Sequence, residues 1–136
     1  RSLVGNTGIL VSKVQYIKKT ENKDFVILDA GMNDFMRTAL YDARHDIVPI
    51  NKSGSKRSRI IEFVGPVCES TCKFTKYTKY HKISENDYVG ITNVGAYGAS
   101  LSSNYNTRPL IAEILVSKNK FKIIKKKQDL YKLINS

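Results

Sequence analysis

Short apolar runs separated by polar turns recur along most of the chain. Residues 9–18 alternate with period two and place Leu10, Ser12, Val14 and Tyr16 on one face of a strand. The polar stretch Thr20-Glu21-Asn22-Lys23-Asp24 then turns into the apolar run Phe25-Val26-Ile27-Leu28, which predicts a hairpin. Residues 32–41 carry enough Met, Phe, Ala and Leu for a short helix, with Asn33 or Asp34 near its start and Arg37 and Tyr41, four apart, on one face. A short strand is predicted over 47–50, a solvated loop over 51–58, and a strand over 60–64. The basic stretch 73–82 reads as a surface loop whose aromatics, Phe74, Tyr77 and Tyr80, pack down. After the turn Glu85-Asn86-Asp87 come a strand over 88–94, a tight hairpin from 112–116 and 121–124, and a terminal helix over 128–135. The expected fold is mainly β: an antiparallel barrel or sandwich decorated by short helices.

Composition narrows this picture. At 136 residues the chain is the size of one domain with one core. No apolar run approaches the roughly 20 residues of a membrane span. Cys68 and Cys72 make no disulfide framework and fit a reducing cytosol, so a cytoplasmic location is expected. Four-residue spacing and unpaired histidines argue against a zinc site, so no metal is expected. The first residue is Arg1, with no initiator Met or signal-peptide pattern, as in a piece cut from something longer. The formal net charge of +11 raises nucleic acid as a partner. Lysine supplies most of it, and abundant Lys, Ile and Asn point first to an AT-rich coding bias. A basic β-barrel binding module for nucleic acid therefore stands as the alternative reading.

Three islands hold the candidate chemistry. Gly65-Pro66-Val67-Cys68-Glu69-Ser70 sets a thiol beside a carboxylate in a turn after a strand, which suits a proton donor or nucleophile. Arg37-Thr38-Ala39-Leu40-Tyr41 precedes it. Gly95-Ala96-Tyr97-Gly98 and Ser102-Ser103-Asn104-Tyr105-Asn106 follow, and the glycines about Tyr97 leave its ring open to whatever approaches.

Read together with Arg1-Ser2-Leu3-Val4-Gly5-Asn6, Asp29-Ala30-Gly31-Met32-Asn33-Asp34 and Thr107-Arg108-Pro109, these islands resemble, in order, the motifs of the C-terminal β domain of the diaminopimelate decarboxylases. The resemblance covers nearly the whole chain. It implies a single C-terminal β domain over 1–136, without the N-terminal α/β barrel whose lysine holds pyridoxal 5'-phosphate. It also implies a homodimer with a shared active site. Carried over, Cys68 is the general acid that reprotonates the α-carbon in the neighbouring subunit's site, and Glu69 binds the distal amino group. Arg37 pairs with the distal carboxylate and Tyr41 adds a hydroxyl, while Tyr97 and Arg1 contact substrate and cofactor. Related ornithine and arginine decarboxylases are the alternative within this superfamily, but they typically follow the cysteine with Asp and lack the Arg-x-Ala-Leu-Tyr segment. Thr38 stands where the family usually has proline, and Thr71-Cys72 where Gly-Asp is usual.

Overall fold

The computed structural model describes residues 2–50 and 54–135. Six strands form one mixed sheet, and two more form a separate hairpin. The strands are β1 (Leu10–Lys19), β2 (Asp24–Leu28), β3 (Ile47–Pro49), β4 (Lys56–Val64), β5 (Lys73–His81) and β6 (Tyr88–Ile91), then the hairpin strands β7 (Glu113–Ser117) and β8 (Lys120–Lys125). In the sheet they run in the order β3-β6-β1-β2-β4-β5, antiparallel except for the parallel pair of β2 and β4. The mainly β expectation holds.

Alternation in β1 buries Leu10, Ser12 and Val14, but Tyr16 is exposed, against the sequence reading. The register with β2 slips between Val14 and Tyr16. The extra residue turns Tyr16 outward and brings Ile17 against the core. Two segments expected as loops are strands. β4 begins at Lys56, inside the predicted loop, and residues 73–81 form β5. Pairing of these two strands, Lys56 with His81 through Val64 with Lys73, outweighs their polar composition. The predicted 32–41 helix shrinks to α1 (Arg37–Tyr41), because Asp34 and Phe35 both donate their amides to Gly31 O and make residues 31–35 a turn. The terminal helix α2 (Leu130–Ile134) starts where Asp129 accepts from the Tyr131 amide at 2.9 Å.

The two edge strands β3 and β5 face each other, and side chains close the gap where no backbone ladder does. Thr75 donates to His45 O at 2.6 Å, Tyr80 donates to Ile47 O at 2.9 Å, and the Ile47 amide donates to Tyr77 Oη at 2.7 Å. The sheet thus becomes a nearly closed barrel around Val14, Val26, Leu28, Phe35, Phe63, Val89 and Ile91. Burial pushes the Tyr80 phenol well above its ordinary 10.0, and burial raises Tyr77 as well. The unfolded chain sheds these protons first. The stability linked to them is complete below about pH 10 and is lost as pH rises through the folded values. The urea midpoint is expected to fall as pH rises above about 10, less so in Tyr80→Phe; a flat profile would contradict the closure.

The β7–β8 hairpin buries neither face: Ile114, Leu115, Val116, Phe121, Ile123 and Ile124 are all exposed. No helix among the described residues is long and apolar enough to cross a membrane.

Candidate functional site

Because β2 and β4 run parallel as neighbours, with Ile27 opposite Val64, the loops that follow them emerge side by side. These are the loops carrying Asp29 to Asp34 and Gly65 to Cys72. Gly65 is what lets them touch: a Cβ there would meet Ala30 O and Gly31 Cα at 2.8 Å and Cys72 Sγ at 2.5 Å. The second loop is a tight turn in which Gly65 donates to Cys72 O, Glu69 to Val67 O and Cys72 to Glu69 O. Its two sulfurs have opposite fates. Cys72 is buried beneath the loop, where its Sγ accepts from the Met32 amide at 3.4 Å, whereas Cys68 is exposed at the tip. The Thr71-Cys72 departure is therefore accommodated locally, with Cys72 as packing and Thr71 reaching Met32 Sδ at 3.7 Å.

Arg37 and Tyr41 share one face of α1, as their spacing requires, and the guanidinium lies 5.6 Å from the Tyr41 ring centroid. Tyr97 closes over the other side at 5.7 Å. Its backbone is left-handed, with φ of 64°, a conformation a tyrosine adopts at a cost of about 1 kcal/mol or more. The conformation leaves the ring half-exposed. Arg37 is only 8% exposed, yet among the described residues its guanidinium has these two rings and no carboxylate. A buried cation without an anion is costly, and an incoming carboxylate would complete it. Beside it the Thr38 hydroxyl is buried and has no hydrogen-bond partner among the described residues.

Arg37, Tyr41 and Tyr97 thus form one cluster, and Cys68 with Glu69 forms another. Among the described residues no hydrogen bond, ion pair or ring contact joins the two. Arg1 lies outside the described residues. Two surface concavities of about 230 Å³ each, one lined by Asp42, Glu62 and Lys73 to Lys76 and the other by Asp46 to Pro49 with Tyr77 and Tyr80, include none of Arg37, Tyr41, Tyr97, Cys68 or Glu69 in their walls.

The sequence reading assigned no role to Arg108 or Tyr105, yet both tie the loops together. Arg108 donates through Nε to Asn33 Oδ1 at 3.0 Å and through Nη2 to Asp29 O at 2.6 Å, and it lies 3.6 Å from Asp34. Tyr105 donates to Glu69 Oε1 at 2.5 Å. Nothing local marks either contact, since the partners are 36 to 79 residues away. Their place in the quoted motif was the available signal.

No described lysine is buried, and the open Tyr97 ring and Cys68 thiol can meet a carbonyl cofactor held from outside. No group of His, Cys, Asp and Glu among the described residues could hold a metal ion.

Comparison with known proteins gives these loops a context. Residues 3–95 match the family described as pyridoxal-dependent decarboxylase, C-terminal sheet domain. The chain is 43% identical to a diaminopimelate decarboxylase of Helicobacter pylori strain J99, over 98% of this chain and 34% of that protein. It is 44% identical to one of Haemophilus influenzae, over 98% of this chain and 32% of that protein. The crystal structure of the Helicobacter pylori enzyme complexed with L-lysine superposes with a TM-score of 0.87 at 42% identity, covering 98% of this chain and 32% of that one. The chain spans about a third of the length of the curated relatives it matches.

Proposed function

The chain belongs to the C-terminal sheet-domain family of the pyridoxal-dependent decarboxylases, and on that premise we propose that it is the C-terminal part of a diaminopimelate decarboxylase. The complete enzyme would convert meso-2,6-diaminopimelate to L-lysine and carbon dioxide in the cytoplasm, with an α/β barrel supplying the cofactor lysine. The observation that carries this reading is Arg37, a buried guanidinium framed by Tyr41 and Tyr97 and, among the described residues, without an anion. A substrate with a carboxylate at its far end answers that need, and ornithine or arginine, which have none, do not.

In this reading each residue has one task. Arg37 grips the distal carboxylate through a planar fork that matches two oxygens, and Tyr41 adds a hydroxyl. Glu69 receives the distal ammonium group. Tyr97 and Arg1 orient cofactor and substrate. Pyridoxal phosphate, when bound, supplies the electron sink for the α-carbon once carbon dioxide has left. Cys68, exposed at the tip of its turn, delivers the proton from Sγ to that carbon. The separation of the two clusters suits an active site shared across a homodimer, where Arg37 and Tyr97 serve one centre and Cys68 with Glu69 serve the neighbouring one. Covering by the barrel would also remove exposed apolar side chains such as Leu3, Ile9 and Val11 from water.

Alone, the chain is expected to bind no pyridoxal phosphate covalently and saturably and to release no carbon dioxide. Joined to the barrel of the Helicobacter pylori enzyme, it is expected to be dimeric on sizing and to turn meso-diaminopimelate into L-lysine while leaving ornithine untouched. A joined protein that prefers ornithine or arginine, or that does nothing, would sink the proposal.

A further inference from the structure

We infer that Tyr105 is a positioning residue for Glu69, its phenol occupying Oε1 so that Oε2 is the acceptor offered to the substrate's distal ammonium group. This rests on the substrate contact proposed above for Glu69. The backbone of Glu69 is pinned inside its turn by the bonds to Val67 O and from the Cys72 amide, but its side chain is exposed. Among the described residues it forms no ion pair, and the Tyr105 hydroxyl at 2.5 Å is the side-chain partner that holds it. An exposed carboxylate with one rotamer-fixing donor and no ion pair among the described residues is prepared for a cation that arrives with a ligand.

The donor is itself held firmly. Ser103 donates its amide to Asn33 O at 2.9 Å, Asn104 Nδ2 donates to Arg108 O at 2.9 Å and to Gln128 Oε1 at 2.6 Å, and the Arg108 amide donates to Tyr105 O at 3.3 Å. Arg108 in turn is fastened to Asn33 and Asp29. This network keeps Asn106 and Thr107 in the left-handed region, with φ of 55° and 57°, which a β-branched threonine takes up only under constraint. The strained turn therefore aims the phenol across to a loop 36 residues earlier. The hydrogen bond to Glu69, and then its negative charge, hold the Tyr105 phenol above its ordinary 10.0, as a donor to a carboxylate should be.

The test has two readouts. With tyrosine labelled at Cζ, NMR titration of this chain is expected to show one resonance, absent in Tyr105→Phe, that titrates above the ordinary range and returns to it in Glu69→Gln. In the chain joined to a barrel, Tyr105→Phe is expected to raise KM for meso-diaminopimelate about tenfold, the weight of one hydrogen bond to a charged group, with kcat within about twofold. An active wild type with unchanged KM in Tyr105→Phe, or a Tyr105 titration indifferent to Glu69→Gln, overturns the inference alone. A wild type that does not decarboxylate overturns the functional reading and the inference with it.

Discussion

Cys68→Ala, in this chain joined to a matching barrel, is expected to lower turnover of meso-diaminopimelate by about a hundredfold or more, the loss that follows removal of a general acid. The expectation comes from exposure and position. Cys68 stands at the tip of a turn whose backbone is bonded from Gly65 to Cys72, so its thiol is presented at a defined height above the end of β4. Cys72→Ala gives the contrasting result. That sulfur is buried against Gly65 and the Met32 amide, so its removal leaves a small void and is expected to cost about 1 kcal/mol of stability while turnover stays within a few-fold. Steady-state kinetics with urea denaturation separates the two effects. Turnover that survives loss of Cys68 but collapses with Cys72 would show that the altered loop has exchanged the roles of its sulfurs.

Phe63→Ala is expected to destabilise the domain by about 3–5 kcal/mol, a large part of the total a domain of this size possesses. Phe63 is fully buried on β4, edge-on to Tyr80 with ring centroids 5.0 Å apart and to Tyr77 at 6.1 Å. Those two tyrosines hold β5 to β3 through Ile47, so the cavity would loosen the aromatic cluster and the closure together. A urea midpoint nearly unchanged in Phe63→Ala would mean that the barrel does not close over this ring.

Sequence order, then, determined more about this protein than composition did. Alternation located the start of β1, and short apolar runs bounded by polar turns located β2, β6 and the β7–β8 hairpin. The i, i+4 spacing of Arg37 and Tyr41 already implied that they meet. The ordered motifs led to the family, which no single island could have done. Tertiary structure alone decided the rest. β5 is a strand because β4 pairs with it, although its lysines read as loop. Tyr16 faces water because one extra residue in β1 shifts the register. Cys68 and Cys72 are chemically alike in sequence, and only the approach of the Gly31 and Gly65 loops buries one and exposes the other. Among the described residues Arg37 has no anion, and Glu69 has Tyr105, for the same reason: partners lie tens of residues apart, and local patterning carries no record of which distant side chain the folded sheet brings within hydrogen-bonding distance.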